Sequence, residues 1–215
     1  MKSTPFTDLG INKNIAQALA ENNITQPTEI QQKTIPILLQ GQRDFIGLAQ
    51  TGTGKTAAFG LPLLQHINVQ QRAIQALVLS PTRELGQQIA HQLTTFSEHL
   101  SRVAIRAVYG GVPIGPQIKA LRKLPQILVA TPGRLIDLVE RQAADLTQVR
   151  YLVLDEADEM LNMGFKPAMN QILSFLPREK AIWLFSATMP QDIARLVHRY
   201  MSQDHIKVEI SPNKV

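Results

Sequence analysis

A glycine-rich stretch that ends in a lysine and a threonine is the part of this 215-residue sequence that most directly predicts chemistry. Its residues are Ala49, Gln50, Thr51, Gly52, Thr53, Gly54, Lys55 and Thr56. Glycines let backbone N–H groups turn toward an anion, and the start of a following helix adds partial positive charge. In such a loop Lys55 would contact the β- and γ-phosphates of a nucleotide, and Thr56 would bind Mg²⁺. The alternative is a glycine-rich turn without a ligand, which the apolar run before the loop and the helical period after it argue against.

An acidic tetrad supplies the second set of reactive groups. Asp155-Glu156-Ala157-Asp158 directly follows the apolar run Tyr151–Leu154. A carboxylate that ends a central strand beside a phosphate loop is suited to hold Mg²⁺, directly or through water, and we assign this role to Asp155. Glu156 is then the candidate to orient or deprotonate an attacking water, because a separate group must face the γ-phosphate. An acidic first helical turn without catalytic function is the alternative interpretation of a lone tetrad.

The elements that must position these residues follow from the hydrophobic pattern. Short apolar runs alternate with longer segments of helical period, which predicts an α/β fold with an open, mostly parallel sheet and helices on both faces. The predicted strands are Asp44–Leu48, Ala76–Leu79, Val103–Val108, Gln126–Ala130, Tyr151–Leu154, Ala181–Phe185 and Ile206–Glu209. The predicted helices are Asn14–Glu21, Thr28–Leu39, Lys55–Asn68, Arg83–Leu100, Ile114–Leu124, Arg134–Arg141, Lys166–Leu176 and Gln191–Met201.

Polar clusters directly follow five of the predicted strands. They are Ala49–Thr56, Ser80–Arg83, Thr131–Arg134, Asp155–Asp158 and Ser186–Thr188. The carboxyl ends of strands in an open parallel sheet share one edge, and ligands bind there. We therefore expect the five clusters to line one cleft.

Composition limits the class of protein without identifying a ligand. The 22 Lys and Arg residues exceed the 17 Asp and Glu residues and give a net charge of +5, which permits a polyanionic partner but does not require one. The chain has no cysteine, so disulfides and thiolate metal sites are excluded. No apolar run approaches the length of a membrane helix, and we expect a cytoplasmic protein without a membrane partner. The histidines show no metal-ligand spacing, so no zinc site is expected.

Together, the phosphate loop and the tetrad make the sequence resemble the DEAD-box ATP-dependent RNA helicase family, over nearly the whole chain. The resemblance implies a RecA-like P-loop NTPase domain that uses ATP and Mg²⁺. It includes the adenine-recognition segment Pro27–Gln31, with Phe6 upstream. By resemblance, Gln31 would hydrogen-bond the adenine edge and Phe6 would stack on its ring, and Thr25 belongs to the same ATP-binding set.

Further motifs of the same family would contact RNA and couple it to ATP. The residues that would hold the sugar–phosphate backbone are Pro81, Thr82, Arg83, Gly110, Gly111, Thr131, Pro132, Gly133 and Arg134. Hydroxyls, helix-start N–H groups and arginines grip phosphates without reading bases, so RNA binding should depend little on sequence. Ser186 and Thr188 resemble the motif whose hydroxyls contact the tetrad, and with Asp158 they would couple hydrolysis to RNA release. One departure from the family pattern is Gly86, where alanine is usual.

The domain organisation follows from the same resemblance. We expect an N-terminal helical segment at residues 1–40 that belongs to the same domain, a RecA-like ATP-binding domain at 41–210, and the start of an interdomain linker at 211–215. DEAD-box motors have a second RecA-like domain that supplies arginine fingers, and no second domain is recognised in these 215 residues. A monomeric chain of this extent should therefore bind nucleotide but hydrolyse it slowly and unwind nothing alone, since an arginine finger contributes about 10³–10⁵ in rate.

Other functions use some of the same residues. A P-loop ATPase that acts on DNA, or without nucleic acid, would need the same phosphate loop and Asp155. A catalytically idle RNA-clamping or protein-binding module is a second alternative, against which Lys55 and Glu156 argue. A metal nuclease built on Asp155, Glu156 and Asp158 is a third, and it leaves the phosphate loop unexplained.

Overall fold

The computed structural model describes residues 5–41 and 43–210. In these ranges it has seven strands: β1 Phe45–Leu48, β2 Ala76–Leu79, β3 Ile105–Val108, β4 Ile127–Ala130, β5 Tyr151–Leu154, β6 Ala181–Ser186 and β7 Ile206–Glu209. The helices are α1 Pro5–Asp8, α2 Lys13–Glu21, α3 Glu29–Leu39, α4 Lys55–His66, α5 Arg83–Phe96, α6 Ile114–Leu121, α7 Pro132–Glu140, α8 Ala157–Asn162, α9 Lys166–Phe175 and α10 Gln191–Tyr200.

The strands form one sheet in the order β3-β4-β2-β5-β6-β1-β7. All six neighbouring pairs are parallel. The register places Leu154 beside Leu79 and Leu184, and Leu48 beside Ser186. The strands therefore end at nearly the same level, and the loops that follow them emerge at one edge of the sheet.

Each face of the sheet carries its own hydrophobic core. One core packs α1 to α5 against residues such as Val78 and Trp183, and the other packs α6 to α10 against residues such as Leu77 and Leu184. Leu77 and Val78 belong to different cores because successive side chains of a strand point to opposite faces. Burial on both faces explains why the strands are continuous apolar runs rather than alternating ones.

The predicted α/β class is confirmed, and the sheet is entirely parallel in the described part of the chain. All seven predicted strands are present, with shifts of at most two residues at their ends. The helices α1 and α8 were not predicted, because four and six residues are too few to show a helical period. The predicted linker residues 211–215 lie outside the described ranges. Within those ranges no helix has both the length and the apolar character that crossing a membrane requires.

Candidate functional site

The five polar clusters meet at the carboxyl edge of the sheet, as the parallel topology requires. A cleft of about 350 Å³ opens there. Its lining includes phosphate-loop residues, two members of the acidic tetrad, and side chains from α5. These residues are Ile24, Gln31, Thr51, Gly52, Gly54, Lys55, Thr56, Ala57, Leu85, Gln88, Gln92, Phe96, Asp155 and Glu156. The other three predicted clusters, at Ser80–Arg83, Thr131–Arg134 and Ser186–Thr188, lie on the same edge but outside this cleft, so the expectation that all five line one cleft is wrong.

The phosphate loop has the backbone that an anion-binding loop needs. Gly52 and Gly54 have positive φ angles of 78° and 94°, a region that residues with a Cβ rarely adopt. Gly54 is the N-cap of α4, so the helix begins at Lys55 and its first N–H groups face the loop. Thr53 ties the loop together, since its Oγ1 donates to the Gln50 carbonyl at 2.7 Å. The sequence therefore builds an ordered turn in front of a helix start.

Lys55 is the most unusual polar group in the cleft. Its side chain is only 6% exposed, and its Nζ is buried without a hydrogen-bond partner. A buried ammonium that makes no hydrogen bond is costly, because water is lost and nothing replaces it. The site is therefore built for an anionic ligand that supplies the missing acceptors.

Asp155 and Glu156 are held differently although they are adjacent. Asp155 is 3% exposed, and burial raises the pKa of its carboxyl to about 6, with the positive charge of Lys55 opposing the shift and Glu156 reinforcing it. Glu156 is partly exposed, and its backbone is left-handed at φ 51° and ψ 51°. This conformation costs a non-glycine residue on the order of 1 kcal/mol. The turn places one carboxylate inside the cleft wall and a second one on its surface.

Gln31 joins the N-terminal segment to the phosphate loop. Its Oε1 accepts from the Thr28 backbone N at 2.9 Å, as part of a capping box at the start of α3. Its Nε2 donates to the Gly54 carbonyl at 3.1 Å. A Cβ on Gly54 would lie 2.4 Å from that Nε2, so only glycine allows this approach. Gln31 thus reaches the cleft wall, and its predicted contact with adenine stays a prediction.

The predicted role of Phe6 disagrees with the structure. Phe6 is 1% exposed and belongs to the core that packs α1 to α5. A ring with so little accessible surface cannot stack on a base in this arrangement. An aromatic residue upstream of Gln31 is equally suited to core packing and to stacking, and the sequence does not separate the two. Thr25 is exposed, but it does not line the cleft.

Two residues of α5 line the cleft without having been predicted. Gln88 and Gln92 are one helical turn apart and therefore project from the same face. The Oε1 of Gln92 is buried without a hydrogen-bond partner. The i, i+4 spacing of two glutamines on a helix that follows a cleft strand is the signal that could have identified them.

Asp158 is connected to the loop after β6 by three hydrogen bonds. Its Oδ2 accepts from Thr188 N at 2.9 Å and from Thr188 Oγ1 at 2.7 Å, and its own backbone N donates to Ser186 Oγ at 3.3 Å. Burial raises the pKa of the Asp158 carboxyl, but the hydrogen bonds from Thr188 and Ser186 outweigh it and leave the pKa below its ordinary value. The structure thus brings together the three residues that the sequence predicted to act jointly.

The predicted RNA-contacting residues form a separate polar surface on the same edge. Thr82 caps α5, with its Oγ1 accepting from Leu85 N at 3.2 Å. The Arg83 guanidinium lies 5.3 Å from the centre of the Tyr109 ring. Arg134 donates from Nη2 to the Val112 carbonyl at 2.9 Å, while its Nη1 is buried without a partner.

Two loops and one helix start complete that surface. Gly110 and Gly111 are exposed, and Gly111 has a positive φ of 78°. Gly133 is exposed beside the N-cap Thr131, and Pro132 opens α7. Open space surrounds the position of a Cβ at Gly110, Gly111 and Gly133. Pro81 is buried and supports the loop rather than presenting a contact.

Gly86 has a local explanation in packing. A Cβ at this position of α5 would come within 2.9 Å of Ser80 Oγ. Ser80 is fully buried and donates to the Thr82 carbonyl at 3.2 Å. The glycine therefore accommodates the serine hydroxyl beneath the loop that carries Thr82 and Arg83.

Comparison with known proteins agrees with this geometry. A family model described as DEAD/DEAH box helicase matches residues 28–196. The chain is 50% identical over 200 residues to the ATP-dependent RNA helicase DeaD of Klebsiella pneumoniae, covering 93% of this chain and 31% of that protein. It is 47% identical over 203 residues to the DEAD-box ATP-dependent RNA helicase CshA of Geobacillus kaustophilus, covering 94% and 43%. The chain thus spans less than half the length of these curated relatives.

Solved structures show the same fold. The crystal structure of a DEAD box protein from the hyperthermophile Methanococcus jannaschii superposes with a TM-score of 0.88 at 42% identity, covering 94% of this chain and 55% of that one. A hypothetical ATP-dependent RNA helicase from Sulfolobus tokodaii gives a TM-score of 0.81 at 37% identity, covering 92% and 57%. Both comparisons extend over nearly the whole sequence of this chain.

Proposed function

Because the chain belongs to the DEAD/DEAH box helicase family, we propose that it forms the N-terminal ATP-binding half of an ATP-dependent RNA helicase. The observation that carries this proposal is the buried Nζ of Lys55, which has no hydrogen-bond partner. It lies in a cleft whose other walls are the phosphate loop and two carboxylates. A triphosphate has the charge and the acceptor oxygens that this ammonium lacks.

The residues of the cleft also fit a divalent cation beside the nucleotide. Thr56 offers a hydroxyl and Asp155 a buried carboxylate, and oxygen ligands of these types suit Mg²⁺. Burial raises the pKa of Asp155, and a cation beside its carboxylate would lower that pKa again. When bound, Mg²⁺ neutralises charge on the β- and γ-phosphates.

The remaining roles fall to side chains of the chain itself. Lys55 would hold the phosphates, and Gln31 would set the position of the loop while facing the adenine. Glu156, whose side chain is partly exposed in the cleft, would orient the attacking water and accept its proton. Its left-handed backbone fixes the direction of the carboxylate relative to Asp155. Hydrolysis is thereby assigned to two carboxylates with different environments.

Coupling between the ATP-binding cleft and the RNA-contacting surface would run through Asp158. Its carboxylate is held by both the backbone N and the hydroxyl of Thr188, so a displacement of the tetrad is transmitted to the loop after β6. RNA would lie across Thr82, Arg83, Gly110, Gly111, Thr131 and Arg134. The unpartnered Nη1 of Arg134 supports a phosphate contact there.

Unwinding of RNA duplexes would belong to the whole protein. The chain spans 31% and 43% of the curated relatives, which supports a second RecA-like domain as the partner that completes the ATP and RNA sites. In this proposal the described domain binds ATP, Mg²⁺ and part of the RNA backbone, and turnover needs both domains.

Two measurements, of nucleotide binding and of ATP turnover, test the proposal. Binding of a fluorescent ATP analogue to the 215-residue chain should require Mg²⁺ and Lys55. Lys55→Met should abolish it, and Lys13→Met, which replaces an exposed lysine that does not line the cleft, should leave it intact. In the full-length protein, ATP turnover should be stimulated by single-stranded RNA and much less by DNA of the same sequence, because the 2′-OH distinguishes them. Equal stimulation by both would point instead to an ATPase that does not select RNA, and absence of nucleotide binding would overturn the proposal.

A further inference from the structure

We propose that a basic cavity at the opposite edge of the sheet binds an acidic peptide segment of a partner protein. The cavity has a volume of about 480 Å³. Three cationic, three apolar and two amide side chains line it, namely Arg72, Arg102, Lys123, Val69, Ala104, Leu124, Gln70 and Gln126. None of these residues belongs to the nucleotide cleft or to the predicted RNA surface, so the proposal does not depend on the function proposed above.

The cavity is separated from the nucleotide cleft by the length of the strands. Its residues come from the three segments that lead into β2, β3 and β4. These strands are neighbours in the sheet, with β4 between the other two. The amino ends of parallel strands all lie at the edge opposite to their carboxyl ends. A ligand in this cavity and a nucleotide can therefore be bound at the same time.

The charges in the cavity are uncompensated. Arg72, Arg102 and Lys123 are all exposed, and within the described ranges none of them has an ion-pair partner. No aspartate or glutamate lines the cavity. Of the other exposed cations, Lys33 and Arg141 are paired with a carboxylate one helical turn away, whereas Lys13 and Arg178 have no ion-pair partner in the described ranges either. The feature particular to the cavity is that three such cations share one concave surface. Three unpaired cations in a concave surface concentrate positive potential, and the guanidinium groups match carboxylates in a bidentate geometry.

The apolar part of the lining favours a peptide over a nucleic acid. Leu124 is 47% exposed, and in the described ranges only Met163 is an equally exposed large hydrophobic residue. Together with Val69 and Ala104 it offers a surface for aliphatic side chains. No aromatic residue lines the cavity, whereas binding of unpaired bases relies on aromatic stacking.

The polar side chains and the backbone at the rim suit an extended peptide. Gln126 uses its Oε1 to accept from Ala104 N at 2.8 Å, so its amide N–H groups remain to donate to a peptide carbonyl. Arg102 and Leu124 both have left-handed backbones, with φ angles of 69° and 51°. Non-glycine residues rarely adopt this region, and two at one rim mark it as a constrained feature.

The test measures binding of a short fluorescein-labelled peptide of glutamate and leucine to the purified chain by anisotropy. The variant Arg72→Gln/Arg102→Gln/Lys123→Gln should weaken binding about ten-fold, because three partly exposed charge contacts are removed. The control Lys13→Gln/Lys119→Gln/Arg178→Gln changes the net charge equally at exposed positions outside the cavity and should bind as the wild type does. A peptide with glutamine in place of glutamate should bind the wild type at least about ten-fold more weakly.

A second measurement keeps the test independent of the variant's folding. In methyl NMR spectra of the wild-type chain, the glutamate-leucine peptide should shift the Leu124 and Ala104 signals and leave those of the nucleotide cleft unchanged. Equal weakening of binding by the cavity and control variants, or shifts away from Leu124, would overturn the proposal. A single-stranded RNA that binds the wild type but not the cavity variant, while the peptide binds neither, would also overturn it and identify a polyphosphate as the ligand.

Discussion

The two edges of the sheet treat their buried polar side chains in opposite ways. At the amino-terminal edge, the Asp44 carboxylate accepts from the backbone N of Ile182 and of Ser202, both at 2.6 Å. At the carboxyl edge, Lys55 Nζ and Arg134 Nη1 are buried without any hydrogen-bond partner. Buried polar groups are nearly always hydrogen-bonded, so the exceptions need an explanation. Asp44 at the amino-terminal edge thus completes the fold, whereas Lys55 Nζ and Arg134 Nη1 at the carboxyl edge are left free for ligands.

The difference between the two edges in how buried polar groups are bonded is one of degree. Gln75 makes hydrogen bonds to Asn68 with both ends of its amide, and Arg150 donates from Nη2 to Gln75 Oε1 at 3.0 Å. Arg150 Nε lacks a partner, although it lies at the amino-terminal edge. The rest of that guanidinium is bonded within the protein, whereas Lys55 has no second donor site to compensate. Lys55 is therefore the residue whose replacement best tests the difference between the two edges.

Replacing Lys55 should give the largest functional effect. We expect Lys55→Met to reduce ATP turnover of the full-length protein by about 10³-fold, near 4 kcal/mol, because a preorganised charge on the phosphates is lost. The free energy of unfolding should change little, because the variant removes an unsatisfied buried ammonium but also the positive charge that opposes the raised pKa of Asp155. Steady-state kinetics and urea unfolding measure the two quantities, with Lys13→Met as the control. A clear loss of stability would mean that Lys55 serves the fold.

Replacing Asp44 should reduce the stability of the fold and leave nucleotide binding unchanged, in contrast to the replacement of Lys55. In Asp44→Ala the buried backbone N–H of Ile182 and the N–H of the exposed residue Ser202 lose their acceptor, and we expect a loss of about 2 kcal/mol of stability. Nucleotide affinity of the folded fraction should not change. Urea unfolding and nucleotide titration at low temperature check both statements, with the exposed Glu179→Gln as the matched control. A change of ten-fold or more in the nucleotide affinity of the folded protein would show that Asp44 also serves the nucleotide site, and would contradict the distinction between the edges.

Asp155 makes the carboxyl edge sensitive to pH. Its folded pKa of about 6 exceeds the carboxyl's ordinary value of 3.8, so between these values the native state holds a proton that the unfolded state has released. In the absence of nucleotide and Mg²⁺, stability should therefore fall as pH rises from about 4 to above 6, by roughly 2–3 kcal/mol from this group. Asp155→Asn should remove this component. Thermal or urea unfolding across the pH range measures it, and an identical pH profile in the variant would contradict the assignment.

These outcomes also indicate which parts of the molecule a sequence can predict. The strands and their carboxyl-edge clusters were predictable, because burial on both faces leaves continuous apolar runs that polar residues interrupt. The buried position of Phe6 was not predictable, because an aromatic residue that packs in the core and one that stacks on a base have the same sequence pattern. The hydrogen bond from Gln31 to Gly54 joins residues 23 positions apart and depends on a missing Cβ, so only the packed structure reveals it. Gln88 and Gln92 were missed because their helix was interpreted from its apolar face alone.

Replacing Thr188 should give the smallest effect of the four substitutions. Thr188→Val removes the hydroxyl contact to Asp158 but keeps the backbone hydrogen bond. We expect a loss of about 1 kcal/mol in stability. The lowered pKa of Asp158 contributes stability above the carboxyl's unfolded pKa that is lost as pH falls through the folded pKa, so this acid-dependent part should shrink in the variant. The midpoint of acid unfolding measures it. Thr147→Val, whose hydroxyl likewise lowers the pKa of an aspartate, Asp145, should shift this midpoint in the same direction but leave RNA-stimulated turnover unchanged. RNA-stimulated turnover that stays fully coupled in Thr188→Val would show that the contact is structural only.

The left-handed backbone of Glu156 has a consequence for how this chain can vary. The conformation favours glycine or asparagine, whereas the proposed chemistry requires a carboxylate on a long side chain. Substitution by glycine or asparagine would relax the backbone but remove the carboxylate that we propose orients the water, whereas glutamate retains both the carboxylate and the strain. Stability and activity thus select different residues at position 156, and a variant selected only for thermal resistance would be expected to lose its glutamate there first.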